Sequence, residues 1–133
     1  MFEGIHHIAI IVRDYDVSKR FYVETLGFQI LRETFREERE SWKLDLKVPG
    51  GAQIELFSFP SPAERPSRPE ACGLRHLAFQ VADLDRVIGK LEGQGVTVEP
   101  VRIDSATNAR FTFFKDPDGL PLEVYEITKR HKT

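Results

Sequence analysis

Apolar residues alternate with polar ones in two short stretches that open the same way, "GIHHIAIIV" at residues 4–12 and "GLRHLAFQV" at residues 73–81. Both are rich in β-branched and apolar side chains and read as strands. Each is followed by an aspartate, Asp14 or Asp83, suited to take up free backbone N–H groups at a helix start. Beyond Asp83 the period changes: Leu84, Val87, Ile88 and Leu91 fall at i, i+3, i+4 and i+7 and predict a helix with one apolar stripe. Val17, Phe21, Tyr22 and Leu26 predict a broader stripe after Asp14, and Gly27 and Gly95 stand where each helix should end in a left-handed turn. "SWKLDLKV" and "ARFTFFKD" return to strand spacing. Each runs into a Pro/Gly turn and then a strand carrying "IEL" or "LEV".

The two halves are copies. At an offset of 69, His7 falls on His76, Ala9 on Ala78, Val12 on Val81, Asp14 on Asp83 and Asp16 on Asp85. At an offset of 68, Lys47 falls on Lys115, Pro49 on Pro117, Gly51 on Gly119 and Glu55 on Glu123. Internal repetition at this scale defines the architecture. The expected fold is α+β: a single domain over residues 1–133 built of tandem βαβββ modules, the first at 1–59 and the second at 74–127. A Pro-rich linker at 60–73 joins them, and a basic tail occupies 128–133.

Strand parity says where the repeated polar residues point. His7 shares a face with Ile5, Ala9 and Ile11, while Ile8, Ile10 and Val12 form an apolar face for the helix. The same reasoning turns His76, Glu55 and Glu123 away from the helices. His6 has the opposite parity and reads as structural, and His131 falls in the tail. Asp14, Asp83, Asp116 and Asp118 suit caps and turns. If the modules pair about a pseudo-two-fold axis, their open faces form a β-lined trough that gathers two imidazoles and two carboxylates. Carboxylates brought together out of water repel unless a shared charge organises them. One divalent ion held by His7, Glu55, His76 and Glu123 supplies that charge, and Zn²⁺, Ni²⁺, Co²⁺, Mn²⁺ and Fe²⁺ all suit these donors.

Composition narrows the partners. Lys plus Arg (19) nearly balances Asp plus Glu (21), so no strong field favours nucleic acid or acidic lipid. Cys72 is the single cysteine, which excludes an intrachain disulfide and a thiolate cluster. With no apolar run of membrane length and no signal-like start, the expected setting is the cytoplasm, without membrane or nucleic-acid partners. The expected partners are a small-molecule substrate and a second copy of the chain, since open strand edges favour a homodimer. Gln53, Phe57, Phe59, Leu74, Ala78, Gln80 and Tyr125 are expected to line a mostly apolar pocket, together with Phe111 and Phe113 or else Thr112 and Phe114. Arg65 and Arg68 of the linker either close over an anion or stand in solvent.

Paired βαβββ modules with His on the first strand and Glu on the last resemble the vicinal oxygen chelate superfamily, which includes glyoxalase I, methylmalonyl-CoA epimerase, extradiol dioxygenases and fosfomycin or bleomycin resistance proteins. "HHIAIIVRD", "FYVETLGF", "IELFSFP", "GLRHLAFQVADLD" and "FFKDPDGLPLEVYE" look most like the small bacterial YaeR-type members, usually labelled lactoylglutathione-lyase-like. The resemblance implies a metal-dependent lyase or isomerase that stabilises an enediolate of a small α-oxo or hemithioacetal substrate. Its metal ligands would be His7, Glu55, His76 and Glu123, and its proton-moving base Glu123 or Glu55. The alternatives are another metalloenzyme of the superfamily, an epimerase or a dioxygenase, or a module that sequesters a ligand. Glyoxalase I carries Arg four residues after its first ligand His and Asn four after its first ligand Glu, both serving glutathione. Ile11 and Phe59 stand there in this chain, so the two positions that serve glutathione are not matched, while the metal ligands are.

Overall fold

The computed structural model describes residues 1–128; most of the expected basic tail, His131 included, lies outside the described residues. The chain divides into two compact units, Met1–Glu64 and one that begins at Arg65, and the division falls within the Pro-rich stretch.

The first unit runs β1 (His7–Val12), α1 (Tyr15–Arg20), β2 (Gln29–Arg36), β3 (Ser41–Lys47) and β4 (Gln53–Ser58). Its sheet has the order β1-β4-β3-β2, with β1 and β4 parallel and the other pairs antiparallel. The second unit repeats this arrangement with β5 (Leu77–Val81), α2 (Leu84–Gly93), β6 (Arg102–Ile103), β7 (Arg110–Lys115) and β8 (Pro121–Glu126), in the order β5-β8-β7-β6. Each unit is therefore a βαβββ module, and the chain is α+β as its sequence pattern predicts. The copies differ at one edge, where β2 is eight residues long and β6 only two.

One face of each sheet is apolar because alternation makes it so. Ile10, Val12, Leu44, Leu46, Ile54 and Leu56 are buried in the first unit, and Leu120, Leu122, Val124 and Phe114 in the second, where Leu84 and Leu91 of α2 join them. Both predicted caps form: Asp14 Oδ1 accepts from the Val17 N–H at 3.2 Å, and Asp83 Oδ1 from the Arg86 N–H at 3.1 Å. Gly27 and Gly95 take φ of 80° and 84°, the left-handed geometry that ends each helix at least cost in glycine.

The stripe of α1 departs from its prediction. After Arg20 the helix widens into a π turn over Phe21–Thr25, with Leu26 N–H donating to Phe21 O. Ser18 and Tyr22 face the core while Val17 stays 40% exposed, and the widened turn shifts the register of the residues that follow it. A small Ser18 against the sheet lets the helix backbone come close, and fully enclosed Tyr22 fills the space one turn on.

At the start of α1, Tyr15 stacks on Trp42 with rings 5.4 Å apart, and its hydroxyl donates to Glu33 Oε2 at 2.5 Å. Lys19 Nζ donates to the same oxygen at 2.8 Å. These bonds, that of Lys19 first, hold the Glu33 carboxyl below its ordinary range, while burial and the Glu33 contact push the Tyr15 hydroxyl up. A depressed carboxyl stabilises the fold above its unfolded value near pH ~4 and loses that contribution as pH falls through the folded value. Glu33→Gln is thus expected to lower stability at neutral pH by under about 1 kcal/mol, because the group is partly exposed, and so to lower the melting temperature slightly. Melting curves of wild type and variant recorded from pH 7 to pH 3 should converge in acid; parallel curves would mean that Glu33 acts through shape rather than charge.

Candidate metal centre

Both glutamates expected as ligands sit mid-strand, between two core residues of the opposite parity. Glu55 lies between Ile54 and Leu56 on β4, and Glu123 between Leu122 and Val124 on β8; all four neighbours are buried. Each glutamate is itself only 8% exposed, on the face turned away from the helix. In the parallel pairing Glu55 lies beside Ala9 and Glu123 beside Ala78, and these small partners leave the first-strand side of each carboxylate open.

The histidine of each copy reaches the glutamate of the same copy. His76 Nε2 lies 3.0 Å from Glu123 Oε1, and the His76 ring stands edge-on to Phe113 with centroids 5.1 Å apart. His7 Nδ1 lies 3.6 Å from Glu55 Oε2. His6, read from parity as structural, is exposed and presents its Nδ1 2.9 Å from His7 Nδ1, so it contacts the expected ligand rather than the core. Among the described residues no three side chains of His, Cys, Asp and Glu gather into one cluster; the donors come as two pairs, one in each unit. Imidazole nitrogen with nearly enclosed carboxylate oxygen is a donor chemistry that fits a divalent cation, each pair supplying one N and one O ligand.

The surroundings of the two glutamates differ. Beside Glu123 on β7 stands Phe113, with Phe111 beyond it stacked on Tyr125 at 6.2 Å. This resolves the choice left by parity: Phe111 and Phe113 share the face of Glu123, while Thr112 and Phe114 turn to the helix side and are buried. Arg102 lies over both rings, 5.4 Å from that of Phe111 and 5.2 Å from that of Phe113. Tyr125 donates its hydroxyl to Asp104 Oδ2 at 2.9 Å and also contacts Thr107 Oγ1. The backbone N–H of Ala106 first, and the Tyr125 hydroxyl next, hold the Asp104 carboxyl below its ordinary range.

Beside Glu55 on β3 stands Asp45, 1% exposed, with Arg32 Nε donating to its Oδ2 at 3.0 Å. Asp45 Oδ1 is enclosed, makes no aligned hydrogen bond, and has Lys43 Nζ 3.2 Å away; the same ammonium lies 3.9 Å from Glu55 Oε2. Reasoning from repetition passes over Lys43 and Asp45, because their counterparts at the offset of 68 are Phe111 and Phe113. The available signal was the alternation within "SWKLDLK", which sets both opposite to Leu44 and Leu46.

The two positions that depart from glyoxalase I are filled by apolar groups. Ile11 is exposed on the face of His7, and Phe59 stacks on Phe57 at 6.3 Å, beneath the guanidinium groups of Arg36 and Arg39. Arg65 bonds within its own loop, donating to Ser67 Oγ and to the carbonyls of Leu74 and Arg75 at 2.8–2.9 Å.

The sequence profile of the Glyoxalase/Bleomycin resistance protein/Dioxygenase superfamily matches residues 4–124. The chain belongs to that superfamily. YaeR of Escherichia coli (strain K12) is 62% identical over 122 residues, covering 92% of this chain and 95% of YaeR. The crystal structure of the glyoxalase family protein from Enterococcus faecalis superposes with a TM-score of 0.88 at 51% identity, covering 94% of this chain and 98% of that one. Two superfamily relatives at 30% identity carry different activities in their names. One is a 2-epi-5-epi-valiolone epimerase from an Actinomyces species, matched over 93% of this chain and 79% of its own; the other is a probable lactoylglutathione lyase of Vibrio cholerae, matched over 96% and 93%. No helix among the described residues is long and apolar enough to cross a membrane.

Proposed function

We propose that this superfamily member is a metal-dependent lyase or isomerase of the glyoxalase I type, acting on a small α-oxo or hemithioacetal substrate that does not carry glutathione. The observation that carries the reading is the repeated pair: His7 with Glu55 and His76 with Glu123, each glutamate nearly enclosed on the helix-free face of its sheet. The reading requires the two pairs to meet at one divalent ion, Zn²⁺ or Ni²⁺ foremost, within a single domain of two modules joined by the linker at 60–73. The names of two relatives, an epimerase and a probable lactoylglutathione lyase, support a reading within the lyases and isomerases.

When bound, the cation supplies Lewis-acid stabilisation of negative charge on neighbouring substrate oxygens. The chain's own groups do the rest. His7 and His76 are the neutral donors, and Glu123 or Glu55 takes the carbon-bound proton on a carboxylate oxygen and returns it to the adjacent carbon. Phe111, Phe113 and Tyr125 exclude water beside Glu123. Ile11 and Phe59 offer no donor to the carboxylates of glutathione, which supports the choice of another thiol. Work as a homodimer in the cytoplasm completes the reading; the free edges of β2 and β6 support the dimer, which sedimentation of the metal-loaded protein tests.

Protein reconstituted in turn with Zn²⁺, Ni²⁺ and Co²⁺ is to be incubated in D₂O with the hemithioacetals that methylglyoxal forms with glutathione and with several other small thiols. Deuterium exchange and isomerisation are expected with at least one of the other thiols and well below that rate with glutathione. Exchange in no metal form would overturn the reading, and oxygen consumption with Fe²⁺ would move the chain to dioxygenase chemistry.

A further inference from the structure

The two copies hold the same His–Glu pair in unlike settings, and the difference is chemical rather than architectural. In register, Lys43 and Asp45 on β3 face Phe57 and Glu55, while Phe111 and Phe113 on β7 face Tyr125 and Glu123. We propose that Lys43, positioned by Asp45, recognises a carboxylate on the substrate, which makes the substrate class of this site carboxylated α-oxo or α-hydroxy compounds. The inference rests on the metal-site reading above.

The second unit shows that the charged pair is not needed to build the sheet. With two phenylalanines at the matching positions it forms the same strand order and brings its histidine to 3.0 Å from its glutamate. Enclosing a carboxylate such as Asp45 is costly, and replacing a buried ion pair by apolar side chains is commonly neutral or stabilising. A charged pair kept where the fold accepts phenylalanine points to a task for the charge.

Geometry says what the task is. Asp45 Oδ1, enclosed and without an aligned hydrogen bond, holds Lys43 Nζ at 3.2 Å, on the same face as Glu55 and 3.9 Å from it. The ammonium carries three donors, and its side chain keeps 28% of its surface exposed. With Glu55 committed to a cation, at least one of those donors remains for a substrate oxygen. A group that touches both Lys43 and Glu55 must lie within a few bonds of the reacting carbon, because the two side chains are nearly in contact. A carboxylate suits that place, since a charge-assisted bond to ammonium is about twice as strong as a neutral one.

Two kinds of probe separate this inference from the metal reading. Acetohydroxamate offers a vicinal oxygen pair and no further charge; the monohydroxamates of malonate and succinate add a carboxylate at two reaches. Binding is to be followed in the visible absorption of the Co²⁺-loaded protein. At least one carboxylated probe is expected to bind about tenfold tighter than acetohydroxamate, the gain of one hydrogen bond to a charged group. Lys43→Met should erase that ratio while acetohydroxamate still shifts the cobalt bands, Asp45→Asn should reduce it, and Lys43→Arg should restore most of it. A wild-type ratio near one, or a Lys43→Met ratio equal to wild type, overturns the proposal and leaves the metal reading standing. Failure of the wild-type protein to take up Co²⁺ overturns both.

Discussion

Replacing His76 by alanine is expected to lower metal affinity by at least about 100-fold, above the loss that follows removal of a group supporting a metal ligand. The fold should survive. His76 lies just ahead of β5, and its ring is partly exposed against the edge of Phe113, so its removal empties little of the core. Its principal polar contact is Glu123 at 3.0 Å, which the variant leaves with an open flank rather than an unfilled cavity. Competition titration with a chromogenic chelator reads the affinity, and circular dichroism reads the fold. His7→Ala should behave alike if both pairs serve one ion. Equal metal uptake by His76→Ala and wild type would remove that histidine from the site.

Leu56→Ala is expected to cost about 3 kcal/mol, within the range for emptying an enclosed leucine. Leu56 has no exposed surface and pairs with Ile10 on one side and Leu44 on the other, both buried. It is also the residue after Glu55, so the cavity opens directly behind the carboxylate. Urea denaturation of the metal-free protein should give that loss, whereas Val17→Ala, on the exposed side of α1, should stay within about 0.5 kcal/mol. A Leu56→Ala midpoint equal to wild type would mean that the first sheet does not draw its stability from this layer.

Much of this could be read from the sequence because duplication separates signal from noise. A histidine in an apolar strand, or a glutamate in "IEL", says little alone. Recurring together at matched spacing on the face away from the helix, they locate both pairs, and the structure brings each histidine to the glutamate of its own copy. The caps at Asp14 and Asp83 and the left-handed glycines at 27 and 95 were legible for local reasons, since each meets a backbone requirement fixed by its neighbours. Other features were hidden because they depend on three dimensions. The π turn after Arg20 departs from regular helical spacing, which a 3.6-residue periodicity does not encode. Lys43 and Asp45 break the repeat, and they acquire meaning only through the cross-strand register that sets Asp45 beside Glu55. Arg65 reads as a solvent-facing loop residue in sequence, whereas its partners are two carbonyls, those of Leu74 and Arg75, nine and ten residues on.

In each module the strand that opens the unit lies directly against the strand that closes it, β1 on β4 and β5 on β8. Parallel neighbours of this kind are distant along the chain and pay a large loop-closure entropy before their contacts form. Neither histidine can therefore meet its glutamate until the last strand of its module has docked, so the pairing of ligands is a late event in folding. On the proposed metal reading, a chain emerging from synthesis would offer no preassembled half-site to a cation, and metal capture would report that the module is complete.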